Sequence, residues 1–179
     1  MKGRTLLTDV KIESERLIQI PITMAYASEI FREFTDEITL FMYPPTPIAL
    51  EETIAFIESA IVSLNDGTNL QMVVLNKATG EFLGCSGVHE LGQAMPELGI
   101  WIKKSAHGRG IGMEAVSALI AWAWANLACE VLTYPVDRRN AASMRIPELH
   151  GGVVVNEWKA IKRNGFELDL VGYRIGRPS

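Results

Sequence analysis

One stretch of this sequence limits the fold more than any other. Glu97-Leu98-Gly99-Ile100-Trp101-Ile102 is apolar and strand-like, Lys103 to Gly112 is basic and dense in glycine, and an apolar helix follows from Met113. A strand that enters a helix through such a turn leaves backbone N–H groups unpaired at the positive end of the helix dipole. The natural guest is a phosphate. The positive charge is local, at Lys103, Lys104, His107 and Arg109, because the 179 residues together carry a net charge of −4. Nucleic-acid binding leaves a broad basic footprint, so the balance argues against that class of partner.

The rest of the chain reads as one α/β unit around this turn. With 48% hydrophobic residues the length supports one sizeable core, so a single domain is expected over 1–179, with 1–9 a flexible N-terminus. Val10 to Ile20 reads as a first strand ended by Pro21, and Thr23 as the cap of a helix running through Phe34. Ala49 to Leu64 is a stronger helix, with Leu50, Ile54, Ile57 and Ile61 at helical spacing and Asn65-Asp66-Gly67 as its stop. Between the two helices, Phe41-Met42-Tyr43-Pro44-Pro45-Thr46-Pro47 is a stiff apolar loop, either a spacer or one wall of a pocket. Gln71 to Asn76, Phe82 to His89 and Glu97 to Ile102 form an antiparallel meander.

Beyond the turn, Met113 to Leu127 carries an apolar stripe of Val116, Leu119, Ile120, Ala123 and Leu127. Trp122 and Trp124 fall outside it, which leaves core packing and a homodimer surface as alternatives. Val131 to Val136 then returns parallel to Glu97–Ile102. Pro135 within it has no N–H to donate, so one edge is unpaired there and a gap between parallel strands opens to a ligand. Asp137 to Asn140 lead into a short helix from Ala141, and the chain ends in a hairpin turning at Asn164-Gly165. Cys85 and Cys129 lack metal-ligand spacing and read as buried thiols in a reducing compartment. The most apolar segment, Ala115 to Ala125, is too short to span a bilayer, and a cytoplasmic location without membrane contact is expected.

Which nucleotide the turn holds is narrowed by elimination and then by resemblance. A Walker-type loop requires Gly-Lys-Ser/Thr, which is missing. A dinucleotide fingerprint survives as Gly110-x-Gly112-x-x-Ala115 with Asp137 as ribose partner, although a meander rather than repeated β-α-β units precedes it. The stretch His107-Gly108-Arg109-Gly110-Ile111-Gly112 resembles the acetyl-CoA-binding turn of the GNAT superfamily of N-acetyltransferases. Glu15-Arg16-Leu17, Met42-Tyr43-Pro44-Pro45, Glu97-Leu98-Gly99-Ile100-Trp101 and Asn140-Ala141-Ala142-Ser143 resemble its RimJ/RimL-like branch, so the likeness covers about residues 12 to 176.

That resemblance implies the GNAT fold, a mixed and mostly antiparallel sheet with its fourth and fifth strands parallel and splayed. It implies acetyl-CoA as co-substrate, with the pyrophosphate on the N–H groups of residues 107–112. The pantetheine then lies between the splayed strands beside Ile100, Ile102 and Asn140. Attack by a primary amine, on a ribosomal or other protein N-terminus or on a small molecule, needs a base, a polarised carbonyl and a proton for the leaving thiol. Glu97 is the candidate base, with His89 and Glu90 in reserve, and a backbone N–H near Ile102 polarises the carbonyl. The tyrosine that many relatives place seven residues after the asparagine is Pro147 here, which should bend the short helix. Ser143 is the remaining candidate acid. A non-catalytic acyl-CoA-binding module is the alternative that the missing tyrosine suggests.

Overall fold

The structure, a computed structural model, describes residues 6–178. Eight strands form one sheet: β1 (Ile12–Glu13), β2 (Leu17–Pro21), β3 (Leu70–Asn76), β4 (Phe82–His89), β5 (Glu97–Ile102), β6 (Val131–Asp137), β7 (Val153–Ile161) and β8 (Glu167–Gly176). Their order across the sheet is β1-β2-β3-β4-β5-β6-β8-β7, antiparallel throughout except for the parallel pair β5 and β6. The helices are α1 (Ala27–Glu33), α2 (Asp36–Thr39), α3 (Leu50–Asp66), α4 (Ile111–Asn126) and α5 (Ala141–Leu149). Successive side chains of a strand point to opposite faces. On β5 this puts Trp101 against Phe34 at the end of α1, with ring centroids 4.9 Å apart. Ile102 turns to the other face, within 3.7 Å of where a Cβ on Gly112 of α4 would stand.

Two expectations need correction. The first strand is two, because Ser14 donates its N–H to the Leu17 carbonyl at 3.0 Å and folds the chain into a hairpin. The polar run Ser14-Glu15-Arg16 has no apolar alternation to hold it in the sheet, and Ser14 and Arg16 bond Glu114 of α4 instead. The splayed pair is therefore β5 and β6 in this numbering. Thr23 caps nothing with its side chain; it opens a 3-10 turn, Met24–Tyr26, and α1 starts only at Ala27. Pro147 lies inside α5, which runs from Ala141 to Leu149.

α3 stops at Gly67, whose φ of 73° is left-handed and cheap only for glycine. Trp122 and Trp124 are partly buried against the core, and the Arg177 guanidinium sits 5.1 Å over the Trp124 ring. Of the N-terminal stretch expected to be flexible, 1–5 lie outside the described residues. Leu7–Asp9 form a 3-10 turn, and Leu7 packs on the core. No helix among the described residues is long and apolar enough to cross a membrane.

Candidate functional site

β5 and β6 touch at one point and then part. Glu97 pairs with Thr133, whose N–H reaches the Pro96 carbonyl at 2.9 Å, and no later pair joins the two strands. Backbone groups of a strand alternate in direction. Lys103 donates back to Leu83 on β4 at 2.8 Å, so the peptide groups of Ile100 and Ile102 point the other way, into the gap. On β6 the next donor after Thr133 is position 135, where proline has none. β6 keeps its full pairing to β8 on its far side. The β5 wall of the gap thus offers the Ile100 peptide group and the Ile102 N–H, while the β6 wall lacks a donor at Pro135 and keeps that residue's carbonyl.

At the end of β5 the chain makes the glycine turn. Gly108 and Gly110 take φ values of 72° and 71°, a region that a β-carbon disfavours, and no backbone lies within 4 Å of a Cβ on either. Gly110 caps α4, and the first intrahelical bond is donated by Glu114 to its carbonyl, at 3.0 Å. The N–H groups of Ile111, Gly112 and Met113 consequently have no partner within the helix. His107 turns away from the turn: its Nε2 lies 2.7 Å from the Ile102 carbonyl, so it carries the hydrogen and donates there. The contact ties the turn back to the end of β5. Lys103 is taken by Glu81 at 2.6 Å, and Lys104 lies 3.6 Å from Glu37.

Arg16 supplies what the sequence pattern did not show. Its guanidinium donates to the Arg109 carbonyl at 3.0 Å and to Glu114 at 2.6 Å, tying the β1–β2 turn to the cradle. With Lys77 and Arg109 it lines a basic hollow next to the glycine turn. Burial alone would raise the Glu114 pKa, but the hydrogen bonds from Ser14 and from the Arg16 backbone and side chain outweigh it and hold the carboxyl below its ordinary value.

At the far side of the gap, Asn140 caps α5, its Oδ1 accepting the Ser143 N–H at 3.2 Å. The Ser143 hydroxyl is 2.7 Å from the phenol of Tyr134 on β6. Tyr134 is buried, and its pKa is pushed up to about 12, the Ser143 contact drawing it part-way back. A tyrosine is therefore present beside Ser143, donated by the strand instead of the helix. Periodicity shows Tyr134 only as a strand residue; what pointed to a missing phenol was Pro147. Asp137, the ribose partner of the dinucleotide reading, is fully buried and already accepts from Arg139 Nε and Nη2 and from the Arg139 and Asp169 N–H groups at 2.6–3.0 Å.

On the Trp101 face of the sheet lies a cavity of about 370 Å³, roofed by Met42, Pro44, Pro45 and Pro47. The proline loop is a wall, held shut by a 2.7 Å bond between the Thr39 and Thr46 hydroxyls. Lys162 donates to the Thr39 carbonyl at 2.6 Å, fastening the loop to the last hairpin. His89 sits on the cavity floor, its Nε2 3.1 and 3.2 Å from where β-carbons on Gly87 and Gly99 would stand, so those glycines make room for the ring. Burial lowers its pKa and keeps it neutral, against the opposing charge of Glu90. Glu97 is its register partner on β5. The Glu97 carboxyl is half-buried, and burial, then the charge of Glu90, raises its pKa.

Comparison with known proteins follows this geometry. A family model described as an acetyltransferase (GNAT) domain matches residues 16–153. An N-acetyltransferase 9-like protein of Caenorhabditis briggsae is 26% identical over 152 residues, covering 78% of this chain and 75% of that protein. Among solved structures, a Salmonella typhimurium acetyl transferase that modifies the N-terminal serine of a 50S ribosomal subunit protein matches with a TM-score of 0.81 at 16% identity. The match covers 94% of this chain and 100% of that one. The microcin self-immunity acetyltransferase MccE, solved with acetyl-CoA and AMP, matches at 0.79 and 17% identity, over 92% and 94% of the two chains. At these identities the structural likeness is one of fold.

Proposed function

The chain belongs to the GNAT acetyltransferase family, and on that premise we propose that it transfers the acetyl group of acetyl-CoA to a primary amine, in the manner of the RimJ/RimL-like branch. The observation that carries this reading is the gap between β5 and β6, which opens beyond Glu97, runs past the peptide groups of Ile100 and Ile102 opposite the donor-less Pro135, and ends beside the glycine turn.

The donor set suits acetyl-CoA. The N–H groups of residues 108–113 suit a pyrophosphate, and Arg16, Lys77 and Arg109 stand where a further phosphate meets positive charge. The peptide groups of Ile100 and Ile102 suit the pantetheine amides and the thioester carbonyl, and Asn140 flanks them.

The reaction asks for three roles. Glu97 takes one proton from the ammonium, a task for which a raised pKa is an advantage. The freed lone pair forms the C–N bond to the carbonyl carbon, while the N–H groups on β5, fixed by the sheet, stabilise the oxygen. The C–S bond then breaks, its electron pair staying on sulfur. A hydrogen bond in which either hydroxyl can donate joins Tyr134 and Ser143; with Tyr134 as the donor, the serine hydrogen passes to the sulfur and the second proton shed by the attacking nitrogen replaces it. Overall the ammonium loses two protons: one is matched on the thiol and one leaves to solvent through Glu97.

Titration calorimetry with acetyl-CoA and with NAD, followed by a thiol-release assay with amines, tests the reading. Acetyl-CoA should bind in the micromolar range and NAD should not. Binding of NAD alone would overturn it, and acetyl-CoA binding without release of CoA to any amine would leave a binding module instead.

A further inference from the structure

We propose that the cavity beneath the proline loop is the acceptor site and that it selects a primary amine carried within a few bonds of a large apolar or aromatic group. This rests on the acetyl-transfer reading and adds the class of acceptor.

The size is that of a small-molecule site, about 370 Å³ against the ~300–1,000 Å³ usual for such pockets. Its lining is apolar: Ile30 and Phe34 from α1, Phe56 from α3, Trp101 from β5, and the loop prolines above. The polar side chains at its edge are partly engaged. Glu52 accepts the Ile48 N–H at 3.0 Å, and Gln71 donates to the Ser86 carbonyl at 3.2 Å. His89 differs, because its ring nitrogens make no protein hydrogen bond among the described residues and lie over Gly99 beside the gap. The neutral imidazole offers one lone pair for one N–H.

A polyamine or an aminoglycoside carries several charges and hydroxyls, which here would find few acceptors, at His89, Glu52 and Gln71 Oε1, and otherwise mostly apolar wall. Each buried polar group without a partner costs on the order of 1–3 kcal/mol in proteins. An amine on an aromatic or branched apolar body loses nothing of that kind, and gains by covering Phe56 and Met42, now partly exposed. The wall needs no ordering on binding, since Thr39, Thr46 and Lys162 already fix it and Arg139 lies 5.2 and 5.0 Å over the Phe41 and Phe166 rings.

The same chemistry has two sources, a free arylalkylamine or a peptide N-terminus led by a large apolar residue. The experiment measures CoA release with phenethylamine and tryptamine, with peptides beginning in Phe or Leu, with peptides beginning in Ser, and with spermidine and kanamycin. Apolar amines should exceed the polar ones at least tenfold in kcat/KM, and the free-amine and peptide arms identify the source. Phe56→Glu, at a half-exposed position, should lower that kcat/KM at least tenfold with the KM for acetyl-CoA unchanged; Met42→Glu in the loop should do the same. Preference for spermidine, kanamycin or Ser-led peptides overturns the acceptor class while leaving acetyl transfer standing. Release with no amine at all overturns both.

Discussion

The glycine cradle and the apolar cavity meet at β5, yet they are made of different material. The cradle is one contiguous run, Lys103 to Gly112, and what it presents is backbone: N–H groups at a helix start, exposed because two glycines hold left-handed conformations. The cavity is assembled by side chains from α1, the proline loop, α3, β4 and β5, which are up to seventy residues apart and meet only once the sheet is formed. A site of backbone is damaged by adding atoms, and a site of side chains by removing or charging them. The two therefore fail in opposite ways when mutated.

The largest expected effect lies at the start of the strand that both adjoin. Glu97→Gln should lower kcat/KM near neutral pH by about 100-fold, the lower end of what general acid–base catalysis contributes. In the wild type, burial and Glu90 raise the Glu97 pKa, so activity should fall on acidification through a value above the ordinary 4.5, as the carboxyl gains a proton and stops being a base. The variant should lack that limb, and its deficit should shrink as pH rises and the amine arrives neutral. A pH profile of kcat/KM for both proteins checks this, and an unchanged profile would remove Glu97 as base.

A smaller effect separates backbone from side chain within the cradle. Gly110→Val places a branched side chain at φ 71°, in the region a β-carbon makes costly by about 1–2 kcal/mol, and on the turn proposed to take the phosphates. The KM for acetyl-CoA should rise about tenfold with the acceptor KM unchanged, whereas Arg109→Ala should move it less than about threefold. Steady-state rates with both substrates varied decide the matter. A larger loss from Arg109→Ala would mean that the cradle binds by charge, and the contrast with the cavity would weaken.

The same division explains what the sequence showed. Strand, turn and helix at the cradle are local, so residue type and spacing sufficed, and the boundaries of β4 and β5 came out as read because turn residues flank them. Pro135 announced the gap because a missing N–H is a property of one residue. The proline loop stayed open between spacer and wall, since its role depends on Phe34, Phe56 and Trp101 arriving beneath it. Tyr134 was passed over because alternation gives a strand residue its face, not the partner that its hydroxyl meets 2.7 Å away on another element. Arg16 likewise acts across ninety-odd residues, on Arg109 and Glu114.

That last contact yields the smallest effect and the finest test of the comparison, because it supports the cradle by side chains from outside it. Glu114 sits in the first turn of α4, where a negative charge is favoured by the helix dipole, and it accepts from Ser14 and Arg16. Its folded pKa lies below the ordinary 4.5, so its contribution to stability is present above that value and is lost as pH falls through the folded one. Arg16 is about half exposed, and solvent screening discounts the pair. Glu114→Gln should cost about 1 kcal/mol at pH 7, or ~3 °C in Tm for a chain of this size. Thermal melts should show the gap between the two proteins closing below about pH 4.5. If Glu114→Gln also raised the KM for acetyl-CoA as far as Gly110→Val does, the cradle would depend on side chains as much as the cavity.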